Sequence, residues 1–102
     1  MDMSKENIIS LLHENKKTLR SFGASRIGLF GSFVTETNKK DSDIDLLVEF
    51  EPRKKNFKNY TGAYLFLKEL FQKDIDFLTP ESLSPYIGPH ILKSVEYVSL
   101  DS

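Results

Sequence analysis

The spacing of hydrophobic residues changes several times along the chain, and each change marks an element. From Ser4 to Arg20, Ile8, Leu11, Leu12 and Leu19 recur at three- and four-residue steps among Asn, Glu and Lys. That rhythm predicts an amphipathic helix, capped by Asp2 or Ser4 and followed by Gly23 in a left-handed turn. The apolar run Ile27–Phe30 predicts a short strand ended by Gly31-Ser32. A polar loop of ten residues follows, with Thr35 to Lys40 turn-forming or solvated. Ile44–Phe50 then alternates as a strand: Ile44, Leu46, Val48 and Phe50 face a core, while Asp43, Asp45 and Leu47 share the other side. Glu51–Asn59 breaks the pattern with Pro52 and carries four basic residues, which reads as a solvated loop.

Thr61–Gln72 returns to helical spacing with Ala63, Tyr64, Leu65, Phe66, Leu67, Leu70 and Phe71. This is more apolar surface than one helical face needs. It serves either a core with few other helices or an exposed surface that meets another protein. Lys73–Leu78 predicts a third strand, with Asp74 and Asp76 on one face and Ile75 and Phe77 on the other. Thr79-Pro80-Glu81 predicts a short helical turn with Thr79 as cap and proline in first position, and Ser84-Pro85 can repeat the device. Gly88-Pro89 interrupts before a helical piece from Pro89 to Ser94, and Val95–Leu100 alternates as a last short strand.

The candidate chemistry sits at Asp43 and Asp45. Two like charges ~4 Å apart at an effective dielectric of ~20 repel by about 4 kcal/mol. At the edge of a packed sheet they cannot splay into water, so one takes up a proton or a cation sits between them. Carboxylate oxygens suit a hard divalent ion such as Mg²⁺. Upstream, Gly31 permits a sharp bend and close approach of a ligand, and Ser32 adds a hydroxyl beside free backbone N–H groups. A phosphate-holding bend thus precedes a metal-holding pair. An EF-hand loop beginning at Asp41 is excluded, because its sixth position would be Leu46 and its twelfth Pro52. Asp41 is a turn residue, His13 has no partner at ligand spacing, and His90 in the tail reads as structural.

Composition narrows the picture. At 102 residues the chain is expected to form one domain, residues 1–102. With 39% hydrophobic and 28% charged residues it belongs among soluble globular proteins. A formal charge of -1 supplies no basic field for a long nucleic acid. Without cysteine there is no disulfide framework, thiolate zinc site or cysteine nucleophile. Nothing at the N-terminus resembles a signal peptide, and no apolar run approaches the ~20 residues of a membrane span, so the cytoplasm is the expected location.

Gly31-Ser32, ten residues, then Asp43-Ile44-Asp45 resembles the signature of the polymerase-β-type nucleotidyltransferase superfamily. LFGSFVTETNKKDSDIDLLVEFEP and KDIDFLTPESL resemble its smallest members, the minimal nucleotidyltransferase (MNT) proteins, from about Gly23 onward. The resemblance implies an α/β (α+β) fold: a small mixed sheet with helices packed on one face and the acidic cluster on the other. It also selects Asp76 over Asp74 as the third acid, since the family's acid lies between apolar residues before a Thr-Pro.

On this comparison Asp43, Asp45 and Asp76 are catalytic and hold two Mg²⁺ ions, while Gly31 and Ser32 bind the nucleotide. The implied reaction is transfer of AMP from ATP to a protein hydroxyl. MNT proteins are typically paired with a HEPN-domain ribonuclease toxin, so the implied role is that of an antitoxin acting on a toxin tyrosine, within a hetero-oligomer. A flap over the triphosphate, or a contact with an acidic partner, would be the alternative reading of Glu51–Asn59. One departure stands out: related MNT proteins usually carry Arg-Gly where this chain has Thr35-Glu36. That loss leaves Lys39, Lys40 or a partner residue to stabilise phosphate charge. It also opens a second expectation, a non-catalytic binding module that covers the toxin through the helix at residues 61–72.

Overall fold

The computed structural model describes residues 3–101. Its first helix, α1 (Lys5–Glu14), opens with a capping box: the Ser4 hydroxyl accepts the Asn7 N–H, and the Asn7 side chain accepts the Ser4 N–H, both at 3.2 Å. Asp2, the other candidate cap, lies outside the described residues. The single helix expected to Arg20 divides at Asn15, which leaves helical dihedrals (φ -103°, ψ 18°) and whose side chain shares the Leu11 carbonyl, at 2.8 Å, with its own backbone N–H at 3.1 Å. A second helix, α2 (Lys16–Ser21), continues beyond. Ile8, Leu12 and Leu19 remain on one side and are fully buried.

Gly23 takes up the expected left-handed turn, with φ 88° and its N–H donating to the Arg20 carbonyl at 2.8 Å. The next strand, β1 (Ala24–Phe30), begins three residues before the apolar run suggests. Ser25 and Arg26 hide this extension from periodicity. It forms because Ala24 and Arg26 pair with Phe50 and Glu49 of β2 (Ile44–Phe50), across a register irregularity. A one-turn helix, α3 (Ser32–Thr35), leaves β1.

After β2 comes α4 (Phe57–Phe71), which starts four residues ahead of expectation. Asn56 caps it by accepting the Asn59 N–H at 2.8 Å. The earlier start brings Tyr60 onto Phe50 and Phe77, with ring centroids 6.3 and 4.8 Å away. β3 (Ile75–Leu78), a 3₁₀ turn at Pro80–Ser82, α5 (Gly88–Ser94) and β4 (Glu96–Ser99) complete the order.

The strands are arranged β3-β2-β1-β4. β1 is antiparallel to β2 and β4, and β2 is parallel to β3, so the sheet is mixed as expected. Ile27, Leu29, Ile44, Leu46, Val48, Ile75, Phe77 and Val98 form one face of the core. They pack with Ile8, Leu12 and Leu19 of α1–α2 and Ala63, Leu67 and Phe71 of α4.

The segment joining β3 to β4 passes over the opposite face. The 3₁₀ turn packs against β2, and Val95 lies so close over Gly28 that a Cβ there would collide with it. Leu47 alternates outward from the main core as expected, yet this cover leaves it fully buried. On that face Arg26, Tyr97 and Ser99 stay exposed towards β4, and Asp45 and Asp76 lie open at the end where β2 and β3 begin. Glu51–Asn56 leaves β2 at the far end and is pinned by Lys55, which donates to Thr79 and Glu81 at 3.2 and 2.8 Å. In this structure the loop therefore lies at the opposite end of β2 from the acidic residues.

Candidate active site

β1 delivers the chain to Gly31, whose φ of 77° and ψ of -150° suit only a residue without a Cβ. A Cβ there would also lie 2.8 Å from the Asp45 Cγ. Thus the glycine permits the bend and lets the bend close on Asp45. Phe33, almost fully buried, anchors the one-turn helix in the core. The Val34 and Thr35 N–H groups donate to the Gly31 carbonyl at 3.1 and 3.2 Å.

Pairing of β1 with β2 sets Phe30 opposite Asp45, and pairing of β2 with β3 sets Asp45 opposite Asp76. Side chains of register partners project to the same face, so two carboxyl groups from residues 31 positions apart meet beside Gly31. Asp45 is half-buried, and its pKa is pushed up to about 6. Burial is the main cause, followed by the charge and carboxyl contact of Asp76, then the charge of Asp43. The Ser32 backbone N–H acts in the opposite sense and favours the ionised form. The Ser32 amide, expected to be free for an anion, here faces the Asp45 carboxyl.

Asp76 is exposed, and Asp43 is exposed immediately ahead of β2. Asp74 turns elsewhere: its carboxylate lies 3.7 Å from Lys68, and its carbonyl accepts the Ile44 N–H at 3.1 Å. Among the described residues no three acidic or histidine side chains are gathered about one point. Asp45 and Asp76 are in contact, with Asp43 near enough to act on them by charge. The donor set still fits a hard divalent cation. It consists of carboxylate oxygens held together against their repulsion, which raises the Asp45 pKa and which a bound cation would relieve.

The loop between α3 and β2 has structure of its own. Thr35 and Thr37 hydroxyls lie 2.9 Å apart, and Glu36 adopts the left-handed conformation, φ 60° and ψ 32°. Lys39 and Lys40 are exposed there. Ser42 closes a turn with Lys39, and Lys73 reaches back to the Lys40 and Ser42 carbonyls at 2.8 and 3.3 Å. Nothing in the local pattern around Lys73 announces that contact, which spans 33 residues.

The family model described as "Nucleotidyltransferase domain" matches residues 12–98. The chain is 37% identical over 97 residues to "Protein adenylyltransferase MntA" of Thermococcus cleftensis, covering 94% of this chain and 97% of that protein. A solved structure, provisionally called a minimal nucleotidyltransferase, superposes with a TM-score of 0.70 at 26% identity, over 94% of this chain and 95% of that one. A crystal structure of a toxin–antitoxin with AMP-PNP is similar with a TM-score of 0.65 at 25% identity, over 89% of this chain and 74% of that one.

Proposed function

This chain belongs to the nucleotidyltransferase domain family, and from that premise we propose that it transfers AMP from ATP to a hydroxyl of a partner protein. The proposed partner is a HEPN-domain ribonuclease toxin, the acceptor a tyrosine of that toxin, the setting the cytoplasm, and the consequence silencing of the toxin. One observation carries the reading most: the contact of Asp45 with Asp76 beside the Gly31 bend. The relative named protein adenylyltransferase, and the similarity to a toxin–antitoxin structure with a nucleotide analogue, support the choice of reaction and partner.

In this reading the Gly31-Ser32 bend receives the β- and γ-phosphates, since it has no Cβ in the way at Gly31 and opens a helical turn beside the acids. Asp43, Asp45 and Asp76 would hold two Mg²⁺ ions, whose charge offsets that of the triphosphate and stabilises the leaving pyrophosphate. Asp45, half-buried and fixed in β2, is the inner member of the set. Asp76, exposed on β3, is the acid that an incoming hydroxyl can approach, and it accepts the hydroxyl proton. The tyrosine oxygen then bonds to the α-phosphorus as the bond to the β-phosphate oxygen breaks. The chain devotes its sheet and longer helices to the core, so the acceptor must be presented by the partner itself.

A second reading, neutralisation by binding alone, is favoured by two features. Thr35-Glu36 stands where related MNT proteins carry Arg-Gly, and α4 exposes Phe57 (85%) and Leu65 (55%). α-Labelled ATP, Mg²⁺ and the co-expressed partner separate the two. Transfer of label to the partner that falls by about 100-fold or more in Asp76→Asn, and disappears in Asp43→Ala/Asp45→Ala, supports the enzyme. Neutralisation that persists in the double variant without label transfer supports the binder.

A further inference from the structure

Asp43 is exposed, and among the described residues no hydrogen bond or ion pair fixes its side chain, yet both of its neighbours are anchored by residues 73 and 74. The Ser42 carbonyl accepts from the Lys73 ammonium at 3.3 Å, together with the Lys40 carbonyl at 2.8 Å. On the other side, the Ile44 N–H donates to the Asp74 carbonyl at 3.1 Å. The loop between these points is internally closed, with the Ser42 N–H donating to the Lys39 carbonyl at 3.0 Å and the Ser42 hydroxyl accepting the Lys39 N–H at 2.7 Å. The ammonium thus holds a preformed turn by its carbonyls, and that turn ends at Asp43. Residues 73 and 74 also lead directly into β3, which carries Asp76.

We infer that Lys73 is a positioning residue that sets the Asp43 carboxylate relative to Asp45 and Asp76, acting through the backbone of residues 40–42. The inference rests on the metal-site reading above and adds a residue that touches neither nucleotide nor acid. A carbonyl-bound ammonium suits this role because it carries three donors, and here two of them are directed at backbone oxygens. Outer contacts that orient a ligand typically change metal affinity by about 10- to 100-fold when removed. A lysine that merely tied down a surface loop would leave divalent-ion binding unchanged.

The test uses the full chain without nucleotide, with Mn²⁺ as a spectroscopically visible probe of the divalent site. Lys73→Met is expected to weaken Mn²⁺ binding by about tenfold and to speed amide exchange at Ser42 and Asp43, while β2 and α4 amides keep their protection. Lys73→Arg, which can donate to two carbonyls, should restore most of the affinity. Lys73→Met in an Asp43→Asn background should add little further loss. Ser42→Ala, which opens the same turn without touching the lysine, should weaken Mn²⁺ binding in the same direction and covers the case in which Lys73→Met does not fold. If Lys73→Met, or Ser42→Ala in that case, binds Mn²⁺ like the wild type while Asp43→Asn binds it weakly, the positioning role is overturned and the metal site stands. If Asp43→Asn itself binds Mn²⁺ like the wild type, the metal-site reading has failed instead.

Discussion

At Glu36 the chain adopts a left-handed backbone, φ 60°, that a residue with a Cβ occupies at a cost of roughly 1–2 kcal/mol. The family's Arg-Gly would place glycine at this position. Glu36→Gly removes the steric cost but adds backbone freedom to the unfolded chain, a loss of roughly 0.5–1 kcal/mol. The net expectation is a gain of about 0.5–1 kcal/mol, read as a rise of roughly 2–8 °C in the midpoint of thermal unfolding. A drop in the midpoint would show that Glu36 makes a compensating contact. At the same scale, the importance of Gly31 and the shared face of Asp43 and Asp45 were legible in the residue types and the period of two. That the Ser32 amide faces Asp45 was not legible, because amide directions depend on how α3 leaves β1.

Individual elements show where local pattern loses to local chemistry. Helical periodicity runs unbroken from Ser4 to Arg20, but Asn15 donates to the Leu11 carbonyl and divides the helix into α1 and α2. The start of α4 is a similar case, since the basic composition of Glu51–Asn59 suggests a loop while Asn56 is a strong cap near its end. Asn56→Ala should cost about 1 kcal/mol, lowering the unfolding midpoint by roughly 4–8 °C, whereas Asn56→Asp should be nearly neutral. Equal losses in both variants would mean that the cap is not what begins α4. This element matters beyond its own stability, because its first turns bring Tyr60 and Tyr64 onto Phe77 of β3, the strand that carries Asp76.

Across the molecule, the acidic pair couples folding to pH and to divalent ions. The Asp45 pKa of about 6 lies above its ordinary value of 3.8, so the folded state disfavours its ionised form. The resulting destabilisation is absent below about pH 3.8, grows as pH rises towards 6, and is constant above. The shift would correspond to about 3 kcal/mol for a fully buried group. Because Asp45 is only half-buried, screening trims this to about 1 kcal/mol. The metal-free wild type should therefore lose roughly 4–8 °C more than Asp45→Asn between pH 4 and 7. Mg²⁺ should reverse the trend, with an apparent affinity about tenfold weaker at pH 5 than at pH 7 as protons compete for Asp45. Parallel curves for the two proteins would remove Asp45 from the account. Among the described residues no helix is long and apolar enough to cross a membrane.

Sequence alone determined the strands and the longer helices in their order, the shared side of Asp43 and Asp45, and the glycine bend, because each follows from residue type and a spacing of two or about four. It did not show the one-turn α3 or the break at Asn15, and it preferred Asp76 to Asp74 only through the family resemblance. It also carried the family resemblance, which the match over residues 12–98 bears out. Tertiary structure decided that β2 and β3 are parallel neighbours, that Asp45 stands opposite Asp76, that the β3–β4 connection buries Leu47, and that Lys73 holds the loop before Asp43. These are contacts between residues tens of positions apart. Strand order, register and the path of a crossover depend on how the whole core closes, and no local rhythm of hydrophobic and polar residues encodes them.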